Sequence, residues 1–114
     1  MSFSMIAGNV RAFGVLTVSL NPASVAANTT AEQTFTVPGL QVGDLVWVNT
    51  PPIGTGAGQM HAGLGVCGAR VSAADTLALR LNNNTAGALD AGTADYTVLV
   101  VRPGATPAPG GFAP

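Results

Sequence analysis

The chain has 114 residues, 47% of them hydrophobic and only 8% charged, with four arginines, no lysine and five acids. That length holds one domain, and a net charge near −1 supplies neither the basic stripe that nucleic acid requires nor a polybasic route to an anionic membrane. The longest strictly apolar runs, such as Val98-Leu99-Val100-Val101, have four residues against about 20 for a membrane-spanning helix, and low charge with many branched apolar residues argues against disorder.

The first residues, Met1-Ser-Phe-Ser-Met-Ile-Ala-Gly, lack a basic stretch followed by a sustained apolar one, so no signal peptide is expected. Residues 1–13 are mildly apolar and read as an arm or an extra edge strand. Period-two alternation starts with Leu16, Val18 and Leu20 on one face and stops at Asn21-Pro22. Ala23 to Ala31 holds a single helical turn at most. Thr34-Phe35-Thr36-Val37 alternates again and ends at Pro38-Gly39, a dipeptide suited to a type II turn. Leu45-Val46-Trp47-Val48 is apolar on both faces, which predicts a strand covered on both sides.

Thr50 to Gly63 is a long connection rich in glycine and proline, and loops of this kind are functional or mobile; contact with a partner is the reading taken. Strands are then expected over Leu64 to Val71, Thr76 to Asn82 and Tyr96 to Arg102, with at most a helical turn at Ser72 to Asp75 and a loop at Asn82-Asn83-Asn84. Residues 103–114 hold four of the eight prolines and form a tail that cannot pair as a regular strand. The fold class is therefore all-β: one small β-sandwich or jelly-roll-like domain over residues 14–102, with extended arms at 1–13 and 103–114.

No catalytic constellation emerges from the motifs. Gly63-Leu-Gly65-Val-Cys-Gly68 matches a dinucleotide-binding fingerprint, but that chemistry needs a strand-to-helix turn in a doubly wound sheet. Here the next residues alternate as a strand, so the glycines read as close strand packing or a bulge. Ser72, the single His61 and Asp75 have no triad spacing. Asp90 and Asp95 are too sparse for a calcium loop and read as turn residues. Cys67 is the only cysteine; it excludes an intrachain disulfide and a cysteine metal cluster, and is expected to be a small buried thiol. No cofactor, metal or small-molecule substrate is expected. A small core under a weakly charged surface instead predicts burial against partner chains.

Three segments resemble a known family. They are Leu20 to Leu40 (Leu-Asn-Pro-Ala-Ser-Val-Ala-Ala-Asn-Thr-Thr-Ala-Glu-Gln-Thr-Phe-Thr-Val-Pro-Gly-Leu), Gly43 to Asn49 (Gly-Asp-Leu-Val-Trp-Val-Asn), and Gly63 to Leu79. Together they resemble small virion structural proteins of tailed bacteriophages, of the capsid decoration or cement type, and the resemblance runs from about Leu16 to Arg102. It implies a β-rich, non-enzymatic homotrimer made in the host cytoplasm. The trimer would bind the major capsid protein on the outside of the head shell, where capsomers meet. The other function in play is a head- or tail-fibre module that recognises a host surface glycan or protein. Sugars stack on exposed aromatics, whereas Trp47 and Tyr96 sit within apolar strands, and this sets the cement reading first. The candidate partner contacts are Phe3, Ile6 and Phe13 in the N-terminal arm, Pro51, Pro52, Ile53, Met60 and His61 in the long loop, and Phe112 in the tail.

Overall fold

The computed structural model describes residues 10–104. It is an all-β sandwich of six strands: β1 (Val10–Leu20), β2 (Thr29–Thr36), β3 (Leu45–Asn49), β4 (Leu64–Ala73), β5 (Thr76–Asn83) and β6 (Ala94–Pro103). They form two three-stranded sheets in the orders β1–β6–β3 and β2–β5–β4, with every pairing antiparallel.

The alternation sets what each face does. On the first sheet, the inward rows run Leu20–Ala94, Val18–Tyr96, Leu16–Val98–Val48 and Gly14–Val100–Val46. On the second they run Phe35–Leu77–Val71, Gln33–Leu79–Ala69 and Ala31–Leu81–Val66. Leu77, Leu79, Tyr96 and Val98 are fully buried where the two inner faces meet. A smaller cluster of Val25, Met60, Leu64, Leu81 and Ala91 packs beneath the loops at one end.

Two polar contacts fasten the loops to this core. Asn83 is buried, and its Nδ2 donates to Val25 O at 3.0 Å and Gly87 O at 2.8 Å. Its Oδ1 accepts from the Thr85 amide at 2.9 Å and the Thr85 hydroxyl at 2.7 Å. At the other end Arg102 reaches Asp44 through Nε and Nη2, both at 2.8 Å, and Nη2 also donates to Gly39 O. The Arg102 guanidinium holds the Asp44 carboxyl below the usual range against the opposing push of burial, and the Gln41 amide helps. The Tyr96 hydroxyl, by contrast, is buried without a hydrogen-bond partner among the described residues, and burial raises its pKa.

Several expectations are corrected. β1 begins at Val10 and β6 ends at Pro103, and these two residues face each other. The body therefore extends beyond residues 14–102; a proline is tolerated where the ladder ends with it. The segments 23–31 and 72–75, expected to hold a helical turn at most, hold none. Thr29 to Ala31 belong to β2, and Asp75, at φ 58°, makes the tight link between β4 and β5. Asn82 and Asn83 lie in β5, so only Asn84 of the three is a loop residue. Cys67 is exposed because the irregularity between Val66 and Gly68 turns it out of the ladder, where its thiol donates to Arg80 O at 3.4 Å. Gly65 and Gly68 lie against the side chains of Asn82 and Arg80, where a Cβ would crowd them. That is the close strand packing expected of this glycine run.

Candidate functional site

The two outer faces of the sandwich differ sharply. On the β2–β5–β4 sheet the outward rows are Thr30–Asn82–Gly65, Glu32–Arg80–Gly68, Thr34–Ala78–Arg70 and Thr36–Thr76–Ala73. Arg70 reaches diagonally across β5 to Glu32 with two hydrogen bonds of 2.8 and 3.0 Å. This face is largely polar.

On the β1–β6–β3 sheet the outward rows are Phe13–Val101–Leu45, Val15–Leu99–Trp47 and Thr17–Thr97–Asn49, followed by Ser19–Asp95. Six consecutive positions of this grid are apolar. Phe13 is 61% exposed, Val15 63%, Leu45 50% and Trp47 56%, with Leu99 and Val101 half-buried between them. The patch leaves on the order of 500 Å² of apolar side chain in water, the upper end of what a monomer ordinarily shows. Asp95 is the only charge on these four rows, at their far end. Cross-strand pairs of β-branched and aromatic residues stabilise the grid, so a partner meets a preformed surface that needs little reordering.

This overturns two expectations. β3 is not covered on both sides: Val46 and Val48 face the core, while Leu45 and Trp47 face water. Trp47 is thus available for stacking, and the aromatic argument against a glycan-binding role no longer holds for it; Tyr96 remains buried.

The predicted contact residues separate. Phe13 lies on the apolar face. In the long loop, Pro52 and Ile53 are exposed, His61 is half-buried, and Pro51 and Met60 are buried. Met60 fills the small loop core because Gly54 N and Met60 N both bond across the loop, at 2.9 and 2.8 Å. It is therefore packing and no contact residue, and the same burial removes Pro51. Phe3, Ile6 and Phe112 lie outside the described residues. The sequence reading missed Val15, Leu45, Trp47, Leu99 and Val101; the double-sided apolarity of β3 was the available signal.

A hollow of about 270 Å³ lies between the Gly54–Gln59 loop, His61 and Asp90 to Thr93. His61 Nδ1 accepts the Gly63 amide at 3.1 Å, and Asp90 Oδ1 accepts the Gly92 amide at 2.9 Å, so both are engaged in shaping turns. Ser72 and Asp75 lie at the opposite end of β4 from His61, about 25 Å along an extended strand. Asp75 there accepts the Gly39 amide at 2.8 Å. The three do not converge. Among the described residues, no group of three or more His, Cys, Asp or Glu is placed to hold a metal ion.

Comparison with protein-family models, with curated proteins and with solved structures found no match.

Proposed function

We propose that the protein is a non-enzymatic cement protein of a tailed-bacteriophage head, made in the host cytoplasm. It binds the major capsid protein on the outside of the shell at capsomer junctions, as a homotrimer, and stabilises the particle. The observation that carries the reading is the preformed apolar face of the β1–β6–β3 sheet, backed by a polar face on the other side of a thin domain. A plate of that kind seats one side on an apolar patch and leaves the other in water. The resemblance of Leu20 to Leu40, Gly43 to Asn49 and Gly63 to Leu79 to virion structural proteins supplies the partner. Stabilisation follows from mass action, because the ligand binds the assembled shell over its dissociated subunits. Three contacts held together gain on the order of 10²–10⁴ in avidity where geometry lets all engage.

The test is to strip the protein from particles, add it back over a range of salt, and follow heat resistance. Add-back should restore resistance with little dependence on ionic strength, since an apolar contact is not screened. Trp47, 56% exposed, offers a contact of about 3 kcal/mol, so Trp47→Thr should weaken each attachment by about 100-fold. Equal heat resistance without the protein would defeat the reading.

The exposure of Trp47 favours one second reading: a fibre module that stacks a host glycan, or grips a surface protein, on the same face. Sugar-dependent quenching of Trp47 fluorescence, with no binding to heads, would promote it.

A further inference from the structure

We propose that the hollow between the Gly54–Gln59 loop, His61 and the Asp90–Thr93 turn binds one ring of a neutral saccharide. It opens where β3 has ended and β6 is about to begin, beyond the rows that carry Asn49 and Asp95. Val10 and Pro103 pair at the opposite end, about 30 Å along β6. The hollow therefore lies on the rim of the plate, off the apolar grid, and is independent of what that grid meets.

Hydrogen bonds hold both walls in place. Gly54 N donates to Met60 O at 2.9 Å, Met60 N to Pro52 O at 2.8 Å and Gln59 N to Gly56 O at 3.2 Å, which closes the loop on itself. The Gln59 side chain lies against Gly54, where any Cβ would strike its Oε1. Met60 and Ala91 are buried together in the small loop core and anchor one wall each.

Three side chains on these walls are each held by one atom and leave another free. Gln59 Oε1 accepts the Gly56 amide at 2.9 Å, His61 Nδ1 the Gly63 amide at 3.1 Å and Asp90 Oδ1 the Gly92 amide at 2.9 Å. A backbone N–H only donates, so these bonds fix the Gln59 amide orientation and the His61 tautomer. Gln59 keeps its NH₂ group, His61 a proton on Nε2 and Asp90 its Oδ2, none with a partner among the described residues.

That set selects a chemistry. An anion would be repelled by Asp90, and a cation would meet the N–H groups of His61 and Gln59. A hydroxyl suits both, because it accepts from either N–H while donating to the carboxylate. The lining holds no apolar side chain larger than Ala57 and Ala91, so a greasy ligand gains little. At about 270 Å³, the hollow falls just below the roughly 300–1,000 Å³ of sites for drug-sized ligands, which leaves room for one sugar ring. No aromatic ring lines it, so binding at a single site should be weak.

The test is an amide NMR titration with glucose, galactose, mannose and N-acetylglucosamine, each up to about 100 mM. At least one sugar should shift the Gly54, Gly56 and Gly92 signals saturably, with half-saturation at about 1–10 mM. Asp90→Asn keeps Oδ1 for the Gly92 amide and turns only the free atom from acceptor to donor. Its spectrum should otherwise match the parent, and its affinity should fall by about 10-fold with the loss of a charge-assisted bond. Gly54→Ala, which displaces the Gln59 side chain, should weaken binding in the same way. Methylammonium and acetate should leave these amides unmoved. No saturable shift with any of the four sugars, parental affinity in both variants, or tighter binding of either ion overturns the proposal. Sugar-dependent shifts confined to the Trp47 indole also overturn it, and would support a glycan on the apolar face instead.

Discussion

Replacing Asn83 by leucine removes all four hydrogen bonds of its side chain while keeping its size. The two carbonyls it serves are not orphaned: Val25 O also accepts the Leu89 amide, and the one proton of the Thr85 hydroxyl, released from Asn83, turns to Gly87 O, which lies within reach. Three bonds are therefore lost at about 1 kcal/mol each, with a further penalty of about 1 kcal/mol at the Thr85 amide, or roughly 4 kcal/mol in all. Burial of the leucine returns about 1.5 kcal/mol, leaving about 2.5 kcal/mol. For a domain of this size that lowers Tm by about 10–20 °C. Differential scanning calorimetry reads the shift, and hydrogen exchange should show the Asn84–Asp90 loop loosening first. Asn83→Asp gives a sharper version. Its carboxylate sets oxygen against the carbonyls of Val25 and Gly87, so its folded pKa rises above the unfolded value. Its stability should fall as pH climbs through that interval and level off above it. A Tm within 3 °C of the parent for Asn83→Leu, or an Asn83→Asp variant with no pH slope, would refute the role given to this residue.

The Asp44–Arg102 pair gives the opposite pH sense. The Asp44 pKa is held below its ordinary 3.8, so its contribution is complete above that value and is lost as pH falls below it toward the folded pKa. Tm followed from pH 6 to pH 2 should stay level and then drop below about pH 4, and Asp44→Asn should flatten much of that drop; the Arg70–Glu32 pair is exposed and contributes little to it. Tyr96→Phe should raise stability by about 1 kcal/mol, since it deletes a buried hydroxyl with no partner among the described residues; chemical denaturation reads the change, and a loss of stability would reveal a partner for that hydroxyl.

Much of the fold was legible because period two is a local signal. Leu16, Val18 and Leu20, the Pro38-Gly39 break and the Leu77, Leu79, Leu81 row each declare themselves within a few residues. At Gly39, φ is 97° and Leu40 N bonds back to Val37 O, as a type II turn demands. What stayed hidden depends on distance along the chain. Asp44 meets Arg102, and Asn83 meets Val25, each across 58 residues, and nothing near either partner announces the other. The apolar face was half-legible. Leu45-Val46-Trp47-Val48 shows that both sides of β3 are apolar, but a strand carries no mark of whether its second side meets a sheet or water. Cys67 misled for a related reason: small neighbours suggested burial, whereas the irregularity in β4 ejects it.

The unlike outer faces have a consequence in any preparation with a free surface. One side of the plate is nearly uncharged and greasy, and the other carries Glu32, Arg70 and Arg80. The isolated domain is therefore built like a solid surfactant. At an air–water boundary it should settle with Trp47 and Phe13 upward, so that a thin vitrified film would show it mostly from one direction. Mild detergent should compete for the same side and randomise the views.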